Sequence, residues 1–159
     1  MGKRREGREA AVQFLYQLYA NHEQPATLFP PFWTLRSAAG KQNEPSAKTR
    51  AFTEELVHGV AANLADIDAR IKKFAANYEL HRISAVDRNI LRLAIFEMLH
   101  CPEVPPVVSI NEAIEIAKRF GSEDSGRFIN GILDRVRGEI DRPAREPGRR
   151  ASPATAPRE

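Results

Sequence analysis

The chain has 159 residues, 42% of them hydrophobic and 28% charged. That length suits one domain that folds without a metal or a disulfide. A lone cysteine, Cys101, excludes an internal disulfide and a cysteine-based zinc cluster and fits a reducing compartment. No run approaches the ~20 apolar residues of a membrane span. The net charge is +3, and its distribution matters more than its sum. Lys3, Arg4, Arg5 and Arg8 make the start basic against Glu6, and Arg142, Arg145, Arg149, Arg150 and Arg158 do the same for the end, leaving a mildly acidic body. Two basic ends on such a body imply a local anion contact and not a whole-surface coat.

The elements follow a helical period. Residues 6–21 carry Ala11, Phe14, Leu15 and Leu18 at mixed three and four spacing. Polar residues interrupt this stretch as a secretory signal, so it reads as an amphipathic helix of a cytoplasmic protein. Residues 22–46 read as an irregular insert, because Pro25, Pro30, Pro31 and Pro45 break any long helix. Within it, Leu28, Phe29, Phe32, Trp33 and Leu35 form a short helix or ordered loop over the core. Helices follow at 48–64 and 65–77. The next, capped by Ser84, is apolar on more than one face and therefore central. A sixth helix is expected to open with Ser109 and Glu112 as a capping box and to end at Gly121. A seventh starts near Ser122 and buries Phe128, Ile129, Ile132, Leu133 and Val136. Residues 142–159 lack an apolar period and read as a disordered basic tail. The fold is all-α: about seven helices in one compact domain spanning 1–141.

Catalysis finds little support. The histidines have no metal-ligand spacing, and no glycine-rich phosphate loop is present. Cys101 lies between His100 and a proline and reads as a structural thiol. Asp87 and Glu97 are separated by ~15 Å along one helix, too far to cooperate as acid and base. No cofactor is implied.

The opening KRREGRE carries a different signal. Continued as a helix, it sets Arg5, Arg8, Tyr16 and Tyr19 near one stripe. Arginines bind phosphates and tyrosine offers a flat face to an unpaired base, as single-stranded RNA requires. A solvated basic terminus over a half-buried Tyr16 explains the same residues, and both readings stay open at this level. Asp87, Glu123 and Asp124 fall in first helical turns, where acids favour the macrodipole. Phe128 reads as core, and Arg88 with Arg92 as surface charge.

VDRNILRLAIFEM, VVSINEAIEIAKRFGSEDSGRFINGILDRV and the opening REGREAAVQFLYQLY closely resemble the NusB family of transcription antitermination factors, over about residues 3–140. Certain ribosomal-RNA cytosine methyltransferases open with the same helical module. The resemblance implies seven helices in two small packed bundles. It also implies binding, with the small-subunit ribosomal protein NusE, to the boxA element of nascent ribosomal RNA transcripts. Other Nus factors and RNA polymerase would be engaged indirectly. The family's arginine-rich motif maps onto Arg4, Arg5 and Arg8, with Glu6 and Gly7 interrupting the run, and Tyr16 lies beyond it. Its acidic positions map onto Asp87, next to RNA or a partner, and Asp124; its exposed aromatic onto Phe128; and basic positions onto Arg88 and Arg127. Four phosphate contacts imply a log–log salt slope of roughly −3 at ~0.7 per contact, so a partner is needed to extend the footprint. Alanine at Arg8 or Tyr16 is expected to weaken RNA binding with little loss of stability. A helical protein-binding adaptor, a homodimer and a relative of the methyltransferase RNA-binding domain are the alternatives.

Overall fold

The computed structural model describes residues 3–21, 25–38, 45–75 and 80–140; the tail from 142 lies outside them. Among the described residues, seven α-helices follow one another: α1 (Lys3–Asn21), α2 (Pro25–Ala38), α3 (Ala47–Ala62), α4 (Leu64–Phe74), α5 (Ala85–His100), α6 (Pro106–Phe120) and α7 (Ser125–Glu139). A short 3₁₀ turn, Leu80–Arg82, precedes α5. The all-α architecture agrees with the sequence reading.

The packing is organised by α5. Ser84 caps it, accepting a 3.1 Å hydrogen bond from the Asp87 backbone N–H. Every residue from Ile90 to Met98 is buried, so no face of this helix meets water over that span. It packs on α1, α3, α4, α6 and α7. Apolar side chains from all seven helices join in one continuous core.

Two glycines set how closely helices approach. A Cβ on Gly7 of α1 would stand 2.7 Å from the Phe52 ring of α3. The same backbone accepts a 3.0 Å hydrogen bond from the Thr53 hydroxyl. The glycine that interrupts the basic run is therefore where α3 is packed against α1. Gly59 of α3 lies directly under the Phe96 ring of α5.

Three boundaries differ from expectation. Residues 25–38 form a single fourteen-residue helix despite Pro30 and Pro31 inside it. The missing N–H groups leave the carbonyls of Ala26 and Thr27 without their helical donors, and both residues are exposed to water. Phe29 stacks on Phe14 at 4.2 Å between centroids, and Phe32 meets Phe14 edge-on at 5.0 Å. Trp33 donates to Glu54 at 2.8 Å. Burying three aromatics, at about 1.5–3 kcal/mol each, offsets about 3 kcal/mol per interior proline.

The sixth helix starts three residues before the expected Ser109 cap, because Pro106 at its first position is already held at a helical φ. Ser109 is an interior, buried residue, and Glu112 is released from capping. The seventh helix starts at Ser125, with Ser125 Oγ accepting from the Ser122 N–H at 2.9 Å. Glu123 and Asp124 thus precede the helix instead of filling its first turn.

Gly59→Ala should destabilise the protein by about 1–3 kcal/mol, since a methyl group there must push Phe96 out of a packed core. Urea denaturation checks this, with a lower midpoint at unchanged slope as the expected result.

Candidate nucleic-acid interface

The basic arm is one continuous helix from Lys3, and its three arginines diverge around it. Arg5 faces α6 and forms a two-point contact with Glu112, at 2.7 and 2.8 Å. Arg8 points inward and is 4% exposed. Its Nε and one terminal nitrogen each bind the Glu97 carboxylate at 2.9 Å, and its other terminal nitrogen lies 3.9 Å from Glu112. Arg4 is exposed, with its guanidinium 4.5 Å from the centre of the Phe52 ring. Glu9, one turn on, binds Arg119 of α6 at 2.8 Å.

The expected stripe therefore splits. Tyr16 points outward and Arg5 leans on α6, whereas Arg8 and Tyr19 turn towards the core. The Tyr19 ring lies under Arg92 at 4.9 Å, and Arg92 in turn forks onto Asp68 at 2.8 and 3.0 Å. Burial holds the Tyr19 phenol above its usual pKa, opposed by Arg92. Tyr16 is 54% exposed and lies about 16 Å along the axis from Arg5.

Tyr16 opens onto a groove of about 610 Å³ whose walls come from four helices: Val12 and Gln13 of α1, Leu35 and Arg36 of α2, Val86 of α5 and Phe120 of α6. Of the predicted site residues, Tyr16 lines this groove. Asp87 and Arg88 follow Val86 directly. Asp124 stands four residues beyond Phe120, at most about 14 Å away. Asp87 is 8% exposed and its Oδ1 has no hydrogen-bond partner. Arg88 is half-buried over the Leu80 carbonyl at 3.4 Å, and burial lowers its pKa. Asp124 and Arg127 are exposed, and Phe128 is partly buried against the core.

Sequence reasoning missed the acids that hold the arm. Glu97 had a visible signal, a carboxylate inside an otherwise apolar run. Glu112 had none, because its partner is 107 residues away. Leu35, expected in a short helix or ordered loop over the core, is instead exposed on α2 beside the groove, and Arg36 carried no signal. Among the described residues no cluster of three or more His, Cys, Asp or Glu side chains could hold a metal ion, and no helix is long and apolar enough to cross a membrane. The Cys101 thiol is pushed up to about 11, chiefly by burial and then by Glu97, which makes it a poor nucleophile near neutrality.

Comparisons with known proteins converge. The NusB family model matches residues 5–137. A transcription antitermination protein NusB of Sorangium cellulosum is 42% identical over 145 residues, covering 89% of this chain and 99% of that protein. One from Desulfatibacillum aliphaticivorans is 47% identical over 137 residues, covering 86% and 90%. Among solved structures, NusB from T. maritima superposes with a TM-score of 0.71 at 36% identity, covering 86% of this chain and 91% of that one. A structure of antitermination factors NusB and NusE in complex with dsRNA shares the fold, with a TM-score of 0.73 at 24% identity over 88% of this chain and 99% of that one.

The burial of Arg8 reverses the expectation that its loss leaves stability unchanged. Arg8→Ala strands Glu97 without a partner and should cost about 3–5 kcal/mol in chemical denaturation. Arg5 holds the Glu112 carboxyl below its ordinary 4.5, so the arm–α6 pair persists above that value and is lost as pH falls through the lowered one. An NMR titration of Glu112 should give a pKa below 4.5 in the wild type and one closer to it in Arg5→Gln.

Proposed function

The chain belongs to the NusB family, and on that premise we propose that it is an RNA-binding transcription antitermination factor. With the small-subunit ribosomal protein NusE it binds the boxA element of nascent RNA from ribosomal RNA operons. That complex helps assemble the antitermination machinery on RNA polymerase. The observation that carries this reading is a family match covering nearly the whole described chain, joined to a helix that carries an exposed cation, Arg4, and an exposed ring, Tyr16. The relatives named as transcription antitermination proteins and the related NusB–NusE complex with dsRNA support it.

Each residue then has a distinct task. Arg4 and Arg5 contact phosphates, Arg5 by exchanging Glu112 for a phosphate oxygen of similar geometry. Arg8 acts from below, fixing the arm through Glu97. Tyr16 stacks an unpaired base, with Phe128 as a second ring. Asp124 accepts from a base edge. Asp87 offers its unpartnered Oδ1 to a donor on the RNA or on the protein partner. Arg88 and Arg127 add positive charge at the starts of α5 and α7. Leu35, 65% exposed beside the groove, favours a protein contact there as well, either NusE or a second copy of the chain.

Binding of boxA RNA against a scrambled RNA, with and without NusE over a range of salt, tests the reading. Selective, salt-dependent binding strengthened by NusE is the expected result; equal affinity for both RNAs at low salt removes it. Tyr16→Ala should lose about 1–3 kcal/mol of binding, the worth of one stacked base, with the melting temperature nearly unchanged. A mass measurement on the free protein separates monomer from homodimer.

A further inference from the structure

We infer that a second cationic site, on the α3 side of the arm, takes a phosphate of the bound single-stranded RNA through Arg4 and Lys48. This deepens the RNA-binding reading above and rests on it. The argument begins with charge accounting. Arg5 is neutralised by Glu112, Arg8 by Glu97 and Arg119 by Glu9. Arg4 of the arm and Lys48 of α3 have no carboxylate within ion-pair distance among the described residues, and both are exposed. The uncompensated positive charge of the arm therefore lies towards α3 and away from the acid-lined α6.

The local shape suits an anion. Arg4, Ser46, Lys48, Thr49 and Phe52 line an open groove of about 220 Å³, several times the ~30 Å³ share of one water in the liquid. Phe52 holds the Arg4 guanidinium over its ring at 4.5 Å. Contact with a ring uses the face of a guanidinium and leaves its N–H edge for an acceptor in the plane, the orientation a phosphate needs. The Ser46 and Thr49 hydroxyls bond each other at 3.1 Å, and Ser46 Oγ also accepts from the Thr49 N–H at 3.1 Å. Ser46 is thus engaged in the α3 cap, and the charged donors of the groove belong to the two cations. Glu112 beside Arg5 and the Arg4–Lys48 groove lie on different sides of α1, which makes the RNA backbone cross the arm instead of following its axis.

The test measures boxA RNA binding by the full chain as a function of salt for Arg4→Gln, Lys48→Gln, the double variant and a control, Lys72→Gln on α4. At ~0.7 per lost contact the double variant should lower the salt slope by about 1.4 and weaken binding roughly 25-fold at about 0.1 M salt. The control should match the wild type, and thermal melts of all variants should superpose, because the side chains are exposed. In a Phe52→Leu background, which removes the ring that orients Arg4, Arg4→Gln should cost less than it does in the wild type. A double variant with the affinity and slope of the control overturns the inference while leaving the RNA-binding reading intact. Unchanged RNA binding with weakened NusE binding also overturns it, by assigning the groove to the protein partner. Absence of salt-dependent RNA binding in the wild type removes both.

Discussion

A guanidinium taken out of water and held against the Glu97 carboxylate fixes the place of the first helix. Desolvating Arg8 and Glu97 costs several kcal/mol per ion before their attraction returns any of it, so the pair is tolerated only in good geometry. The fork-to-carboxylate contact supplies that geometry, with Glu112 at 3.9 Å adding a second negative charge. Rotation of α1 about its axis, or a slip along α5, would leave a buried charge unsatisfied. Hydrophobic packing alone would tolerate such a slip more easily, since Ala10, Ala11, Phe14 and Leu15 present apolar surface over a wide arc. The ion pair thus specifies register, and the outward directions of Arg4 and Tyr16, with Arg5 laid on α6, follow from it.

That fixed register explains why α5 is both the most buried helix and the reference frame for the surface. Its start carries Val86 at the groove, followed in sequence by Asp87 and Arg88; its far end carries Glu97 beneath the arm. One rigid element therefore sets the spacing between the two regions of the candidate interface. The α2 helix completes the groove from the opposite side, held by aromatic stacking on Phe14 and by the Trp33–Glu54 hydrogen bond. A side chain added to the groove by α2 is consequently positioned by the same core that positions α1.

The sequence announced what is local and hid what is long-range. Ser84, the apolar run behind it and the four-residue spacing of α3 identify helices by their own neighbours, and these elements stand where their patterns set them. The start of α6 was misread because Ser109 and Glu112 fit a capping box, whereas the preceding proline pair governs where the helix begins. In α2 the two prolines outweighed the aromatics on paper, although the packing of Phe29 and Phe32 on Phe14 decides the outcome. The inward turn of Arg8 had no local signature at all. An arginine in a basic run looks the same whether it faces solvent or a carboxylate 89 residues away. Periodicity placed Arg8 beside Arg5, and only the identity of the facing helix separates their roles.

Neutralisation of most of the arm also bears on how such a surface selects its ligand. A fully exposed arginine cluster binds any polyanion, with affinity set by phosphate count. On the proposed reading Arg5 would reach a phosphate only by leaving Glu112, so each non-specific contact it made would be opposed by a contact already formed. That opposition would fall equally on every RNA, and what distinguished one RNA from another would then be whatever Tyr16 and the groove add beyond charge. Weak electrostatic binding makes that added part decisive, because a base that fails to stack has little phosphate attraction to fall back on. It also makes a protein partner effective: a second surface that raises the local concentration of RNA multiplies a small intrinsic affinity without diluting its selectivity. On the proposed reading the acids along α6 and α5 would thus do more than stabilise the fold, because they would lower the background against which a sequence preference is read.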